Sequence, residues 1–235
     1  MRRIPGFQVG VMVVGFVLGM SAKSEAAFIA WVCGTQNCSG SGDVMIVDNG
    51  AGDGLASTDG AILIAGDYFG YEVVVSTSQS KPAIGSASQP QMDLSYTLTN
   101  STGTAGNIWL YASDVDFTGT VNLLASLDGD SSNGTFAING GVWGGSSNTS
   151  GDIGNLLIAL GPLTTNPYSA AGTSALIGSL VNPYSLTIGV QLFTDSRGTT
   201  TGDLVLTSVP EPASLVLLGT GLLGAGVRRW GQRRA

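Results

Sequence analysis

Three acidic segments have the residue types and spacing to do chemistry. Asp48-Asn49-Gly50-Ala51-Gly52-Asp53-Gly54, followed by Asp59-Gly60, puts carboxylates and backbone carbonyls on a glycine-rich loop, the all-oxygen ligand set that Ca²⁺ takes. The segment occurs once and misses the offsets of the tandem Gly-Gly-x-Gly-x-Asp repeat. Asp-Gly and Asn-Gly turns between strands account for the same residues. Asp128-Gly129-Asp130-Ser131-Ser132-Asn133-Gly134 opens like an EF-hand loop, but Asn133 and Asn139 stand where the sixth-place Gly and twelfth-place Glu are required. A turn between two strands is expected there. Asp48, Asp53, Asp128 and Asp130 therefore stand as calcium candidates, none of them a firm metal site, and no other cofactor is expected. Asp114 and Asp116 flank Val115; on an extended chain they would share a face about 7 Å apart, the minimum for a glycosidase. With no second cluster of carboxylates and aromatics to hold a sugar, a solvated turn leading into a strand at Thr120 is the expectation.

The remaining chemistry is sparse. The chain has no histidine and no Gly-x-Ser-x-Gly nucleophile signature, so an enzyme is not expected. Cys33 and Cys38 enclose Gly34-Thr35-Gln36-Asn37, and in an oxidising compartment such a pair reads as a small disulfide loop. Closing six residues removes about 2 kcal/mol of chain entropy from the unfolded state. Without histidine or further soft ligands, a metal or catalytic thiol has no support. Trp31, Trp109, Trp143 and Trp230 are too few and too scattered along the chain to form a carbohydrate platform, and core packing is the expected role of the first three.

These side chains must be positioned by strands. The chain is only 11% charged and holds 36 glycines, a composition that favours short strands and many turns over helices. Candidate strands cover Phe28–Val32, Val44–Val47, Ala61–Ala65, Tyr71–Ser76, Met92–Thr99, Asn107–Ala112, Thr120–Leu127, Thr135–Ile138, Leu156–Leu160, Ser185–Thr194 and Asp203–Thr207. Leu94, Tyr96 and Leu98 alternate with Ser95, Thr97 and Thr99, as Leu186, Ile188, Val190 and Leu192 do with Thr187, Gly189 and Gln191. That period of two predicts an all-β, antiparallel, jelly-roll-like sandwich with one wet face per sheet. Residues 170–180 read as a short helix or a loose connection, after and before the triplets Asn166-Pro167-Tyr168 and Asn182-Pro183-Tyr184.

The net charge of −7 is unevenly spread. Seven of the nine basic residues lie near the two ends, leaving Lys81 and Arg197 against fourteen carboxylates in residues 28–209, a body near −12. Nucleic acid is excluded as a partner, since binding there depends on cations that neutralise phosphates. Anionic polysaccharide would also be repelled unless divalent ions bridged the two.

The ends are processing segments. Arg2 and Arg3, the apolar run Phe7–Met20 and the small residues around Ser24-Glu25-Ala26 make a secretory signal, residues 1–26, cut by signal peptidase after Ala26 or one residue later. Its ~14 apolar residues fall short of the ~20 a spanning helix needs. At the other end, Pro210-Glu211-Pro212 blocks regular hydrogen bonding and leaves an extended, protease-accessible segment. Ala213–Val227 follows, a helix of roughly 22 Å against a ~30 Å hydrocarbon core. Arg228, Arg229, Arg233 and Arg234 then hold the C-terminus on the cytoplasmic side, with the body outward. Residues 209–235 closely resemble the PEP-CTERM sorting signal of Gram-negative bacteria: Pro-Glu-Pro, an apolar segment and a basic cluster in order. The resemblance implies Sec export, transient retention in the inner membrane, processing near Pro210–Pro212 by an exosortase-type membrane protease, and delivery to the cell surface or an exopolysaccharide matrix.

The expected product is three parts: a signal helix, a β-sandwich body over residues 27–208, and a sorting tail with a short transmembrane helix. Its expected function is that of a non-enzymatic surface or matrix protein associated with extracellular polysaccharide. The alternative is a carbohydrate- or ice-binding adhesive module, with calcium assistance an option, using flat threonine-rich faces around Thr97 and Thr99 or Thr199–Thr201.

Overall fold

The computed structural model describes residues 28–104, 106–119, 121–174 and 180–209. The signal segment, the Pro-Glu-Pro motif, both terminal helices and the arginine cluster lie outside the described residues. Twelve strands run in chain order as β1 (Ile29–Cys33), β2 (Val44–Val47), β3 (Ala61–Tyr68), β4 (Tyr71–Gln79), β5 (Gln91–Asn100), β6 (Gly106–Phe117), β7 (Asn122–Ser131), β8 (Phe136–Gly145), β9 (Leu156–Leu163), β10 (Tyr168–Ser174), β11 (Tyr184–Thr194) and β12 (Gly198–Val209). No helix occurs among the described residues.

The strands form two antiparallel sheets of six. Sheet A has the order β2-β1-β6-β11-β8-β9 and sheet B the order β10-β7-β12-β5-β4-β3. The chain crosses between sheets from β5 through β8 and again from β9 through β12, the criss-crossing of a jelly roll. The core is the seam between the two inner faces. Leu94, Tyr96 and Leu98 of β5 and Leu186, Ile188, Val190 and Leu192 of β11 are all buried in it, as their alternation requires. At ~1.5–3 kcal/mol for each fully buried aliphatic side chain, this seam carries the fold.

Three sequence expectations are corrected. Of residues 170–180, residues 170–174 form neither a helix nor a loose connection but the end of β10, paired with β7 from Tyr168↔Gly129 to Ser174↔Leu123, and residues 175–179 lie outside the described residues. The small residues of this segment carry no strand propensity of their own; pairing and the burial of Tyr168 impose the conformation. Asp128–Ser131 is not a turn, because β7 continues through it opposite β12 and the break comes after Ser131. Asp114 does not lie in a solvated turn either. It is fully buried near the end of β6, where Lys81 Nζ stands 3.0 Å from its Oδ2 and the Ser80 hydroxyl donates to the same oxygen at 2.7 Å.

Lys81 belongs to the loop between β4 and β5 and Asp114 to the other sheet, so their ion pair fastens loop to strand. The ammonium also donates to the Val115 carbonyl and lies 4.6 Å from the Phe117 ring centroid. Removing one partner of a buried pair strands the other charge, at a cost of about 3–5 kcal/mol. Lys81→Met is expected to lose about that much stability in urea unfolding, and adding Asp114→Asn is expected to restore part of it; equal midpoints for the single and wild-type proteins would contradict the assignment.

Candidate functional site

Sheet A departs from the expectation of a wet outer face. On β11 the outward residues Thr187 and Gly189 are as buried as their inward neighbours, because aromatic rings lie over them. In strand register, Trp31 on β1 is opposite Tyr111 on β6, Tyr111 is opposite Gly189 on β11, and Gly189 is opposite Gly141 on β8. Trp109 sits two residues from Tyr111 on β6, and Trp143 two residues from Gly141 on β8. Three of the four tryptophans, scattered in sequence, are thereby brought to one face.

The facing glycines make this arrangement fit. A Cβ on Gly189 would collide with the Tyr111 ring, and one on Gly141 with the six-membered ring of Trp143. The bare backbone instead forms a floor on which the rings lie. Trp109 and Tyr111 stack with centroids 5.9 Å apart and planes 8° from parallel, and Trp143 meets Tyr111 edge-on at 5.8 Å, both favoured geometries. Tyr111 and Trp143 are almost fully covered, whereas Trp31 and Trp109 keep part of their surface open. Burial drives the Tyr111 hydroxyl well above its ordinary pKa, so it remains a donor, and it donates to the Gln36 carbonyl at 2.8 Å.

Polar side chains continue the face. Asn139 on β8 donates its amide to Gln191 Oε1 on β11 at 3.0 Å, and Gln191 donates to Asn107 Oδ1 on β6 at 2.8 Å. This amide ladder runs beside Trp109, which is directly opposite Gln191. Two loops rise over the sheet as walls: the Cys33–Cys38 disulfide loop, which is closed as the spacing predicts, and the β8–β9 loop carrying Gly151 and Ile153. A recess of about 290 Å³ lies between them over Trp31 and Tyr111. A second of about 210 Å³ lies over Trp109, Trp143 and the amides. Among the described residues, none that lines either recess is charged.

The acidic candidates are organised differently. Asp53 accepts the amides of Leu55 (2.8 Å) and Leu63 (3.1 Å) on one oxygen and that of Asn49 (3.0 Å) on the other, folding its own loop. Asp48 accepts the Gly60 amide at 2.7 Å, and burial raises its pKa, opposed by that hydrogen bond. Asp128 and Asp130 project from the exposed face of β7, Asp128 opposite Asp203 of β12. Among the described residues no group of three or more carboxylate or thiolate ligands is placed to hold a metal ion. Asp116 takes up positive φ and exchanges hydrogen bonds with Asn148, while Asp114 is committed to Lys81; the two do not form an open carboxylate pair.

The threonines singled out in sequence do meet. On the outer face of sheet B, Thr97 is opposite Thr201 and Thr99 opposite Thr199, with 3.1 Å between the hydroxyls of the second pair. Thr200 points inward and hydrogen-bonds Ser131 and Asn133 in the core. The sequence reading missed the residues that matter most on sheet A: Tyr111, Gln36, Asn139, Gln191 and the two floor glycines. Trp109-x-Tyr111 opposite a strand carrying Gly189 was the available signal, but it requires the register.

Residues 208–230 match the family described as the PEP-CTERM protein-sorting motif. The chain thus carries the sorting signal its tail resembles, which implies an exported, membrane-anchored precursor delivered by exosortase processing to the cell surface. No curated protein matches the chain in sequence. Among solved structures, TmCBM61 in complex with β-1,4-galactotriose aligns at 10% identity and a TM-score of 0.33, covering 61% of this chain and 92% of that one. The enzymatically active domain of bacteriophage CBA120 tailspike protein 4 aligns at 8% identity and a TM-score of 0.32, over 60% of this chain and 20% of that one. Likenesses at these scores carry no functional weight.

One titration follows from the face of sheet B. Asp93 is pushed up to about 7, first by burial and then by the neighbouring Asp203 carboxylate; the Ser95 hydroxyl lies between them, 2.8 Å from Asp203 and 3.4 Å from Asp93. The folded state holds this proton more tightly than the unfolded chain, so the contribution of Asp93 to stability is fully present below about pH 4 and is lost as pH rises to about 7. Melting temperatures across that range are expected to fall for the wild type and to fall less for Asp93→Asn; parallel profiles would refute the shared environment.

Proposed function

We propose that this chain is an exported, non-enzymatic surface or matrix protein whose β-sandwich binds extracellular polysaccharide on the outer face of sheet A. The Sec machinery and signal peptidase would take it across the membrane. Residues 213–227 would hold it there with the body outward, and an exosortase-type protease would then release it to the surface. The single observation that carries the binding reading is the aromatic trench beside an amide ladder. A pyranose ring has apolar C–H faces and a hydroxyl rim; partly open indoles offer stacking surface, and Asn and Gln side chains offer donors and acceptors together. A face of uncharged rings and amides on a body near −12 selects an uncharged glycan, for which no bridging metal is needed.

The paired threonines of sheet B support a second reading, a flat hydroxyl array of the kind that would order water, on which the protein would bind ice. Thermal hysteresis in the purified protein, without glycan retention, would favour it.

The experiment is retention of the protein recovered from producing cells on affinity gels of neutral polysaccharides (β-glucan, xylan, galactomannan) and anionic ones (alginate, polygalacturonate). Retention by a neutral polysaccharide, unchanged by EDTA, is expected. Trp109→Ala is expected to weaken it by about 2 kcal/mol, roughly thirtyfold, with the melting transition still cooperative. Absence of retention on every gel, or full retention by Trp109→Ala, would refute the proposal.

A further inference from the structure

Among the described residues, Gln36 is the one that lines both recesses on sheet A. Resting on the glycan reading above, we infer that the two recesses are consecutive subsites for one uncharged oligosaccharide chain, and that Gln36 is the specificity-determining residue that reads the units in both. Its backbone is fixed on several sides. Cys33 ends β1 directly opposite Trp109, and its disulfide to Cys38 closes the loop. The Gly34 amide donates to Asp43 Oδ1 at 2.9 Å, and the Tyr111 hydroxyl holds the Gln36 carbonyl from below. The carbonyl is thereby spent within the protein, and the exposed side chain is what the loop offers a ligand.

That side chain carries one acceptor and two donors. A ligand matching it must donate and accept at adjacent positions, as neighbouring hydroxyls of a sugar do; carboxylates and phosphates only accept. Asp43, which accepts the Gly34 amide beside the disulfide loop, and Asp152 of the β8–β9 loop disfavour an anionic chain further. One recess presents Trp31 and the other Trp109, so each subsite has its own partly open indole on its own side of Gln36. A single sugar fills one recess and touches Gln36 from one side; a longer chain fills both and is bound by both indoles. The disulfide acts as a positioning element. It lies outside the main core and packs instead with Trp109, Tyr111 and Trp143, so its loss is expected to displace Gln36 while leaving the sandwich folded.

The test is calorimetric titration of the protein recovered from producing cells with cello-, xylo- and manno-oligosaccharides, from the mono- to the hexasaccharide. Wild-type affinity is expected to climb over the first few units of a series and then level off. Gln36→Ala is expected to keep weak monosaccharide binding and to lose about tenfold of the gain with length; Cys33→Ser/Cys38→Ser is expected to do the same with unchanged far-ultraviolet circular dichroism. Should the disulfide variant unfold, Gln36→Ala decides alone. A length dependence in Gln36→Ala equal to wild type would overturn the role given to Gln36, and a wild-type affinity that does not rise with length would overturn the two-subsite inference; weakened binding by Trp109→Ala would in either case leave the glycan reading standing. Wild-type protein that binds none of these oligosaccharides, nor any of the neutral gels, would overturn both.

Discussion

The arrangement of sheet A depends on one steric allowance, two glycines facing each other across β11 and β8. Gly189 and Gly141 pair directly, and the space their missing side chains leave is where Tyr111 and Trp143 lie. An alanine at either position would have to push a ring off the sheet, into the space now occupied by the disulfide loop and the recesses. Glycine in the middle of a strand ordinarily weakens it. Here the lost packing is offset by aromatic area laid over the bare backbone, and the sheet gains a second, smaller apolar layer outside the sandwich core.

The two faces of the molecule therefore have different characters. Sheet B presents the expected alternating surface of threonine, serine and aspartate, with Asp203 between Asp128 and Ser95 in one cross-strand row. Like charges facing each other across a ladder are unfavourable, and Asp203 adds to the upward pKa shift of Asp93 that burial sets first. Sheet A carries rings and amides and has walls built by two loops. The charges of the body are thus kept off the recesses, and the two available cations do other work: Lys81 neutralises the buried Asp114, and Arg197 lies in the β11–β12 turn against Gly103.

Much of the fold was legible because alternation is a local signal. β5 and β11 could be read residue by residue, and the Cys33–Cys38 loop followed from spacing and compartment. Strand ends were less legible. Asp128-Gly129-Asp130 reads as a turn in sequence and the strand from Thr135 reads only to Ile138, yet β7 runs through Asp128–Ser131 and β8 through Gly140–Gly145, because pairing with β12 and β11 outweighs local preference. β10 has almost no local signal at all. The candidate site was the least legible part: Trp31, Trp109 and Trp143 are separated by tens of residues, and only the order β1-β6-β11-β8 makes them neighbours. Composition counts aromatic residues but does not place them. The sorting tail was legible in full as a motif, since its three parts are contiguous.

Sorting by the tail and the recognition proposed for the body are separate properties, and the central claim concerns the second: that the ligand-binding surface is the outer face of sheet A. Its most direct test is chemical-shift mapping on isotope-labelled protein titrated with a neutral oligosaccharide. The account predicts that the indole N–H signals of Trp31 and Trp109 and the side-chain amides of Gln36, Asn139 and Gln191 move together and saturate together. Perturbations confined to the threonine face of sheet B, around Thr97, Thr99, Thr199 and Thr201, would contradict it.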